Sequence, residues 1–470
     1  MGITTLQLAH EAWLSGAELR RRRERYKRYA YGRQWKDRVR DIDGRLTTEG
    51  ALAEIGGRRP LTNNMIRQLI KSVVGNFRTT ISENDPAAQN APDPSTAQRN
   101  SLTEMDCRML EEFLISGCAV QRVISEKRIS GIGVWVDNIS PENFFVNRHT
   151  DPRGTDIELI GMLHNMSLRE VLMRYGTTAD QRTKINKAYL TSSSEYELNR
   201  RAEIGETGIA TDFFQAPAGR CRVIEVWTLE SRNLLRCHDR QKATYFIAEE
   251  SSAAGIEKLN SIRRIKGEEP VVTVPLTSLR WHCRFYAPNG LLLDEYDSPY
   301  SHGSNPFALK MYPLIDGEVH SLVEDVIDQQ RHINRLITLI DHIMSVSAKG
   351  VLLFPEDQKI DEMTWKQVGQ LWARADSILP YSPSGSSHEP HQVVSANESP
   401  GAYRMLETQL NLFQEISGVS DTARGKMPSH QTSAEALTTQ LRTSAIAMLD
   451  LLDSFNDFRC KRNAMIASTL

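Results

Sequence analysis

Between Glu318 and Lys349 the chain runs without a glycine or a proline, and this constrains its fold more than any other feature. Val319, Leu322, Val323, Val326, Ile333, Leu336, Ile337, Ile340, Ile343 and Met344 fall mostly on one stripe at helical spacing. At about 1.5 Å per residue, about 30 residues make a rod of roughly 45 Å. That is long for a helix buried in a globular domain.

Two more helices follow. In GAYRMLETQLNLFQEISG, Tyr403, Leu406, Leu410, Phe413 and Ile416 share a face and Gly418 marks a stop. Beyond it, Thr432 and Glu435 fit a capping box, and Leu437, Leu441, Met448, Leu452, Phe455 and Phe458 continue an apolar stripe. Residues 350–399 form a compact mixed segment between the first two helices.

The first 300 residues read as α+β. LTNNMIRQLIKSVVGNF predicts a buried helix with Asn63 as a possible cap and Gly75 as a stop. Residues 84–101, rich in Pro, Ala and Asn, predict a loop or linker, and a helix is expected around Thr103 to Ser116. Strands are expected over AVQRVISEKRISGIGVWVDNI, 221–230, 270–276 and 278–296, the last with a hairpin at Asn289-Gly290.

Composition excludes several classes. No apolar run approaches the roughly 18 residues of a crossing helix, so no membrane association is expected. The N-terminus lacks a secretory h-region, and Leu6 stands where a myristoylation motif needs Ser or Thr. Cys107, Cys118, Cys221, Cys237, Cys283 and Cys460 contain no CxxC pair, which predicts reduced thiols and synthesis in the cytoplasm. A net charge of −2 argues against tight clamping of many phosphates. Between residues 20 and 40, however, eleven Lys or Arg face only Glu24 and Asp37. The run is either a helix face answering acidic groups on a neighbouring element or a nucleic-acid patch.

Catalytic motifs fail on spacing. Between Gly418 and Gly425-Lys426 lie six residues, and Met427 stands where a phosphate loop needs a hydroxyl. GIGVW lacks the third glycine of a dinucleotide fingerprint. Neither GxSxG nor HExxH occurs. Glu324, Asp328 and His332 recur at i, i+4 and i+8, but no Glu-x-x-His partner completes a carboxylate-bridged metal site. With Arg331 and Arg335 beside them, intrahelical and inter-subunit ion pairs are expected. Neither metal nor cofactor is expected, and no enzymatic activity.

Residues 300–350, YSHGSNPFALKMYPLIDGEVHSLVEDVIDQQRHINRLITLIDHIMSVSAKG, resemble the portal proteins of tailed bacteriophages, most closely those of short-tailed phages. The similarity rests on Asp316-Gly317, Asp328, Gln330-Arg331 and Ile333-Asn334. YGRQW (31–35) with RPLTNNMIRQLIKSVVG (59–75) resembles the family's N-terminal region, and HTDPRGTD (149–156) a loop of its wing.

The resemblance implies an α+β portal fold: an α/β wing (1–317), a first stem helix (318–349), a small α/β clip (350–399), a second stem helix (400–418), a tunnel loop (419–432) and a long wing helix (433–470). Family members often continue into a crown, which here is absent or truncated. The implied function is a homododecameric ring at one capsid vertex of the virion, assembled in the host cytoplasm. Through it double-stranded DNA is packaged and ejected, and on it the terminase large subunit and a tail adaptor dock; major capsid and scaffolding proteins are further partners. The resemblance assigns Arg424, Lys426 and His430 to the DNA channel, and Glu324, Asp328, Arg331 and Arg335 to inter-subunit contacts. Trp365 and Trp372 either face terminase and adaptor or pack the clip core. The rivals are a metal-dependent nuclease and a nucleic-acid-binding module built on the basic N-terminal segment.

Overall fold

The computed structural model describes residues 4–83, 85–87, 92–128, 131–189, 212–300, 303–347, 351–356, 359, 363–373, 391–393, 400–419 and 434–469. Helices and sheets are both extensive, so the fold is α+β. The chain divides into two compact units. The first comprises residues 1–27, 68–324 and 419–470, and the second residues 28–67 and 325–418. This partition does not follow the linear segments expected from the sequence, because residues 28–67 fold with residues 325–418 and the chain from 419 onward folds with the first unit.

In the second unit, strands β1 (Arg38–Arg40) and β2 (Leu46–Thr48) form a hairpin. The first unit is built on two antiparallel sheets. β3 (Cys118–Arg128) lies between β4 (Gly131–Asn138) and β11 (Phe307–Met311). The larger sheet runs β10 (Leu292–Asp297), β9 (Val272–Tyr286), β7 (Cys221–Asp239), β6 (Leu159–Met166), β5 (Phe144–Val146), with β8 (Thr244–Glu249) on β7 beyond the end of β6. Near the first unit's end, β12 (Pro313–Ile315) pairs with β13 (Glu318–Val319). In the second unit β14 (Val351–Leu353) pairs with β15 (His391–Val393).

The core of the first unit lies where these sheets meet. Cys118, Val120, Ile160, Val223, Trp227, Cys283 and Phe307 are buried together. Trp13 and Ala9 of the Thr5–Ser15 helix close a second cluster with Phe145, Phe213 and Val226.

The Ala434–Thr469 helix joins this unit through both grease and charge. Phe455 packs on Phe77, Phe113 and Phe458 at ring distances of 5.4, 5.6 and 5.6 Å. Arg459 forks onto Asp85 with two bonds of 2.8 Å and donates to Asp106 at 2.9 Å. Arg462 donates to both oxygens of Asp106, at 2.7 and 3.1 Å. Burial pushes Asp85 up, but Arg459 outweighs it and holds the carboxyl below its ordinary range. Met448, Phe455 and Phe458 are buried and Leu452 half-buried; the side chains of Leu437 and Leu441 lie outside the described residues.

Four local expectations are corrected. The Met65–Glu83 helix passes through Gly75 without stopping, since Phe77 beyond it is buried and holds the next turn. Its cap is Asn64, whose Oδ1 accepts from Arg67 N–H at 2.9 Å, while Asn63 bonds elsewhere. Within 84–101, Pro94–Asn100 is helical because Asp93 caps it and Pro94 fits the first turn. Residues 272–286 form one strand through Pro275. There β9 has β7 on one side and, among the described residues, no other strand on the other, the edge setting in which a strand proline is tolerated. The hairpin at Asn289-Gly290 forms as expected, with Gly290 at φ 85°.

Candidate functional site

The Leu322–Ser347 helix carries the acidic and basic stripe together with the motif that raised the resemblance. Its buried polar positions Gln330, Asn334 and Thr338 recur every four residues, and within the second unit all three hold one extended stretch of chain. Gln330 Oε1 accepts the N–H groups of Met65 and Ile66 at 2.8 and 3.2 Å, and its Nε2 donates to the Asn63 carbonyl at 2.6 Å. Asn334 Oδ1 accepts Asn63 N–H at 2.8 Å, and Thr338 Oγ1 accepts Leu61 N–H at 3.0 Å. Three buried side chains thus act as a ladder for the backbone of residues 61–66, where the Ile66 N–H is itself buried.

Asn334 Nδ2 also donates to Gln34 Oε1 at 2.5 Å. Next to Gln34, Trp35 Nε1 donates to the Leu61 carbonyl at 3.1 Å. YGRQW, the TNN stretch and QRHIN, three of the phrases that carried the resemblance, therefore converge on one network.

The charged stripe is satisfied differently from expectation. Arg331 and Arg335 do not pair along their helix. Both turn to Glu49, Arg331 Nε lying 3.3 and 3.2 Å from its two oxygens and Arg335 Nε closer still. Glu49 is buried at the start of the Glu49–Ile55 helix, a setting in which two guanidinium groups compensate its charge. Glu324, in the first unit, lies 3.4 Å from Arg22 and 3.4 Å from His320. Burial and then a hydrogen bond to Glu324 push the Tyr26 hydroxyl above its ordinary range. Asp328 is exposed, and no ion pair to it forms among the described residues.

Part of the basic run is absorbed by the first unit and its own neighbours. Arg23 is buried and forks onto Glu112 at 2.5 and 2.8 Å. Arg22 lies 3.8 Å from Glu318 as well as against Glu324. Arg20 covers the Trp13 ring at 3.5 Å, and in the second unit Arg28 meets Asp37 at 3.3 Å. This is the face answering acidic neighbours, one of the two readings of the run.

In the clip range, Thr364 and Gln367 cap the Trp365–Ala373 helix reciprocally, at 2.8 and 3.4 Å. Val368 is buried, Trp372 half-buried and Trp365 47% exposed. Phe354 meets the Trp365 ring edge-on at 6.1 Å, so one tryptophan is divided between packing and open surface. Arg424, Lys426 and His430 lie outside the described residues. The HTDPRGTD loop closes on itself: Asp156 Oδ2 accepts from Thr150 and Asp151 N–H at 2.7 and 3.1 Å.

One fully buried charge was not singled out by the sequence. Glu225, fully buried on β7, contacts Arg122 at 2.9 Å, His164 at 2.6 Å and the Trp227 indole N–H at 2.7 Å. Burial pushes its carboxyl up, but Arg122, then His164 and Trp227, outweigh it and hold the group at about 2. A strand position flanked by Ile224 and Val226 gave no signal that an acid lay there in the core. Among the described residues no group of three His, Cys, Asp or Glu side chains could hold a metal ion, and no helix is long and apolar enough to cross a membrane.

The long polar-laddered helix and the α+β first unit describe a structural scaffold, in which side chains serve to hold the chain together. The family model described as Phage P22-like portal protein matches residues 6–464, so the chain belongs to that family and has the role of a phage portal protein. No curated protein matches it.

Proposed function

We propose that copies of this chain form a homododecameric ring at one vertex of the capsid, through which the viral genome enters during packaging and leaves during ejection. The match to the P22-like portal family over residues 6–464 carries this reading. Residues 318–349 and 400–418 are its stem helices, 350–399 its clip, 419–432 its tunnel loop and 433–470 its long wing helix. The clip, with Trp365 partly open, is the docking platform for the terminase large subunit and later a tail adaptor. The wing meets major capsid and scaffolding proteins.

A ring of this kind needs a head-to-tail interface whose rotation closes. Asp328, exposed on the first stem helix, is free to meet a cation of the next copy, and Glu324, Arg331 and Arg335 line the same helix. The tunnel loop residues Arg424, Lys426 and His430 make brief, non-specific contacts with the duplex. A lumen with few cations suits a conduit, because each neutralised phosphate adds a steeply salt-dependent affinity that would stall moving DNA. The engagement of Arg20, Arg22, Arg23 and Arg28 within the chain favours the portal reading over a nucleic-acid-binding module built on this run.

Native mass spectrometry and negative-stain imaging of the purified full chain test the proposal. Closed rings of about twelve copies with a central hole are expected. Compact single particles at every concentration tried would overturn it.

A further inference from the structure

Within the first unit a cavity of about 610 Å³ opens between β3, the Leu168–Tyr175 helix, β9, β10 and the last turn of the Ala434–Thr469 helix. That volume suits a small molecule. One part of its lining is buried, since Ile124, Tyr175 and Phe285 are 6, 5 and 4% exposed and the Arg122 side chain 12%. The other part, with Ser125 and Asp294, is exposed and forms the mouth.

Two polar atoms of the buried lining are left over. Arg122 Nη2 donates to Glu225 at 3.0 Å, while Nε of the same guanidinium is enclosed and finds no acceptor. The Tyr175 hydroxyl is enclosed too and meets no partner in hydrogen-bonding geometry, because the Arg174 guanidinium beside it donates instead to Glu126 at 3.2 Å. Burial pushes this hydroxyl above its ordinary range, so it keeps its proton and can donate. Enclosed donors without acceptors are rare in folded chains. Here two belong to residues that line one cavity.

A pair of donors calls for an oxygen acceptor, and the surrounding charges decide its kind. Arg122 is matched by Glu225 at 2.9 Å and Arg174 by Glu126 at 3.2 Å, which leaves neither guanidinium to balance an anion drawn out of water. A cation would meet Arg122 at the buried end. The fitting guest is therefore uncharged. Its body follows from the wall, where the Phe285 ring lies 5.4 Å from Tyr175 and 6.0 Å from Tyr296, both pairs tilted by 41°. Such rings pack best on another ring, edge-on or offset. Water alone would satisfy the two donors but leave this aromatic wall wet.

We propose that the cavity binds a small uncharged aromatic molecule whose carbonyl or hydroxyl oxygen accepts from Arg122 Nε and from the Tyr175 hydroxyl. Ser468 and Thr469 line the same cavity, so a bound guest also ties the end of the long C-terminal helix to the strands. The site lies within one copy and stands apart from the ring reading.

The test uses the full chain and para-fluorobenzamide, an uncharged aryl amide of this class, followed by fluorine NMR. Saturable broadening at one site per chain is expected, reversed by unlabelled benzamide and not by benzoate. Ser125→Trp, at an exposed position of the mouth, is expected to abolish binding by filling the entrance. Tyr175→Phe removes only the orphaned hydroxyl and is expected to weaken binding about three- to tenfold. Unfolding midpoints close to the parent's would show that both variants keep the fold. Broadening that survives Ser125→Trp would put the probe elsewhere and overturn the site. Undiminished affinity in Tyr175→Phe, or displacement by benzoate as strong as by benzamide, would overturn the chemistry assigned to it. No binding to the parent chain would mean a cavity that holds water only, and the proposal falls.

Discussion

Gln330, itself buried, bonds three backbone groups of a segment about 265 positions away in sequence, accepting from Met65 and the buried Ile66 and donating to Asn63. Replacement by leucine would leave the buried Ile66 N–H without its partner, while the Met65 N–H and the Asn63 carbonyl, which also bond each other at 3.2 Å, would lose one bond each. An unsatisfied buried group costs about 1–3 kcal/mol, so Gln330→Leu, which orphans the Ile66 N–H, is expected to destabilise the second unit by about 1–3 kcal/mol. Urea denaturation would read this as a lower midpoint, and hydrogen exchange would show the amides of Met65 and Ile66 losing protection. Unchanged protection at both amides would show that the ladder does not hold this segment. The sequence made Gln330 and Asn334 visible as parts of a phrase resembling a family, yet nothing local revealed what they hold. Likewise Arg331 and Arg335 read as helix-surface charges, because Glu49, their common partner, lies far away along the chain.

At the scale of elements, periodicity was legible and boundaries were less so. The long helix was expected over 318–349 and is observed over Leu322–Ser347; the helix expected over 400–418 is observed over Pro400–Ser417. The failures share a cause, since a local breaker was weighed without the tertiary contacts that override it. Gly75 is the clearest case. It sits exposed within the Met65–Glu83 helix, and a methyl group added there would meet nothing within 4 Å. Alanine removes the backbone freedom that glycine loses on folding, so Gly75→Ala is expected to stabilise the chain by about 0.5–1 kcal/mol. A rise in the urea midpoint would register it, whereas a fall would mean that this face of the helix is tightly covered. Thr277 is the strand counterpart: the strands expected over 270–276 and 278–296 run through it as one, paired with β7 along its length. The division of the chain into units was the least legible, because residues 28–67 belong with a partner segment that begins at residue 325.

Across the whole molecule the charge is nearly balanced, at −2, and many arginines are used up inside the fold. Arg459 and Arg462 are buried on Asp85 and Asp106, Arg23 on Glu112, and Arg122 on Glu225. Cations committed in this way hold the scaffold and are not available to a passing duplex. On the proposed function, contact with DNA therefore falls to few groups, Arg424 and Lys426 foremost among them. Double replacement by alanine is expected to leave ring stoichiometry unchanged while altering packaging and DNA retention in a phage complementation assay. With purified rings and a non-specific duplex, each lost phosphate contact should remove about one unit from the slope of log affinity against log salt. Both readouts matter, because a loop that merely spaces two helices would tolerate the double change in either. Rings that package and retain DNA as before, with an unaltered salt slope, would exclude these residues from the channel and leave the portal role to rest on the scaffold alone.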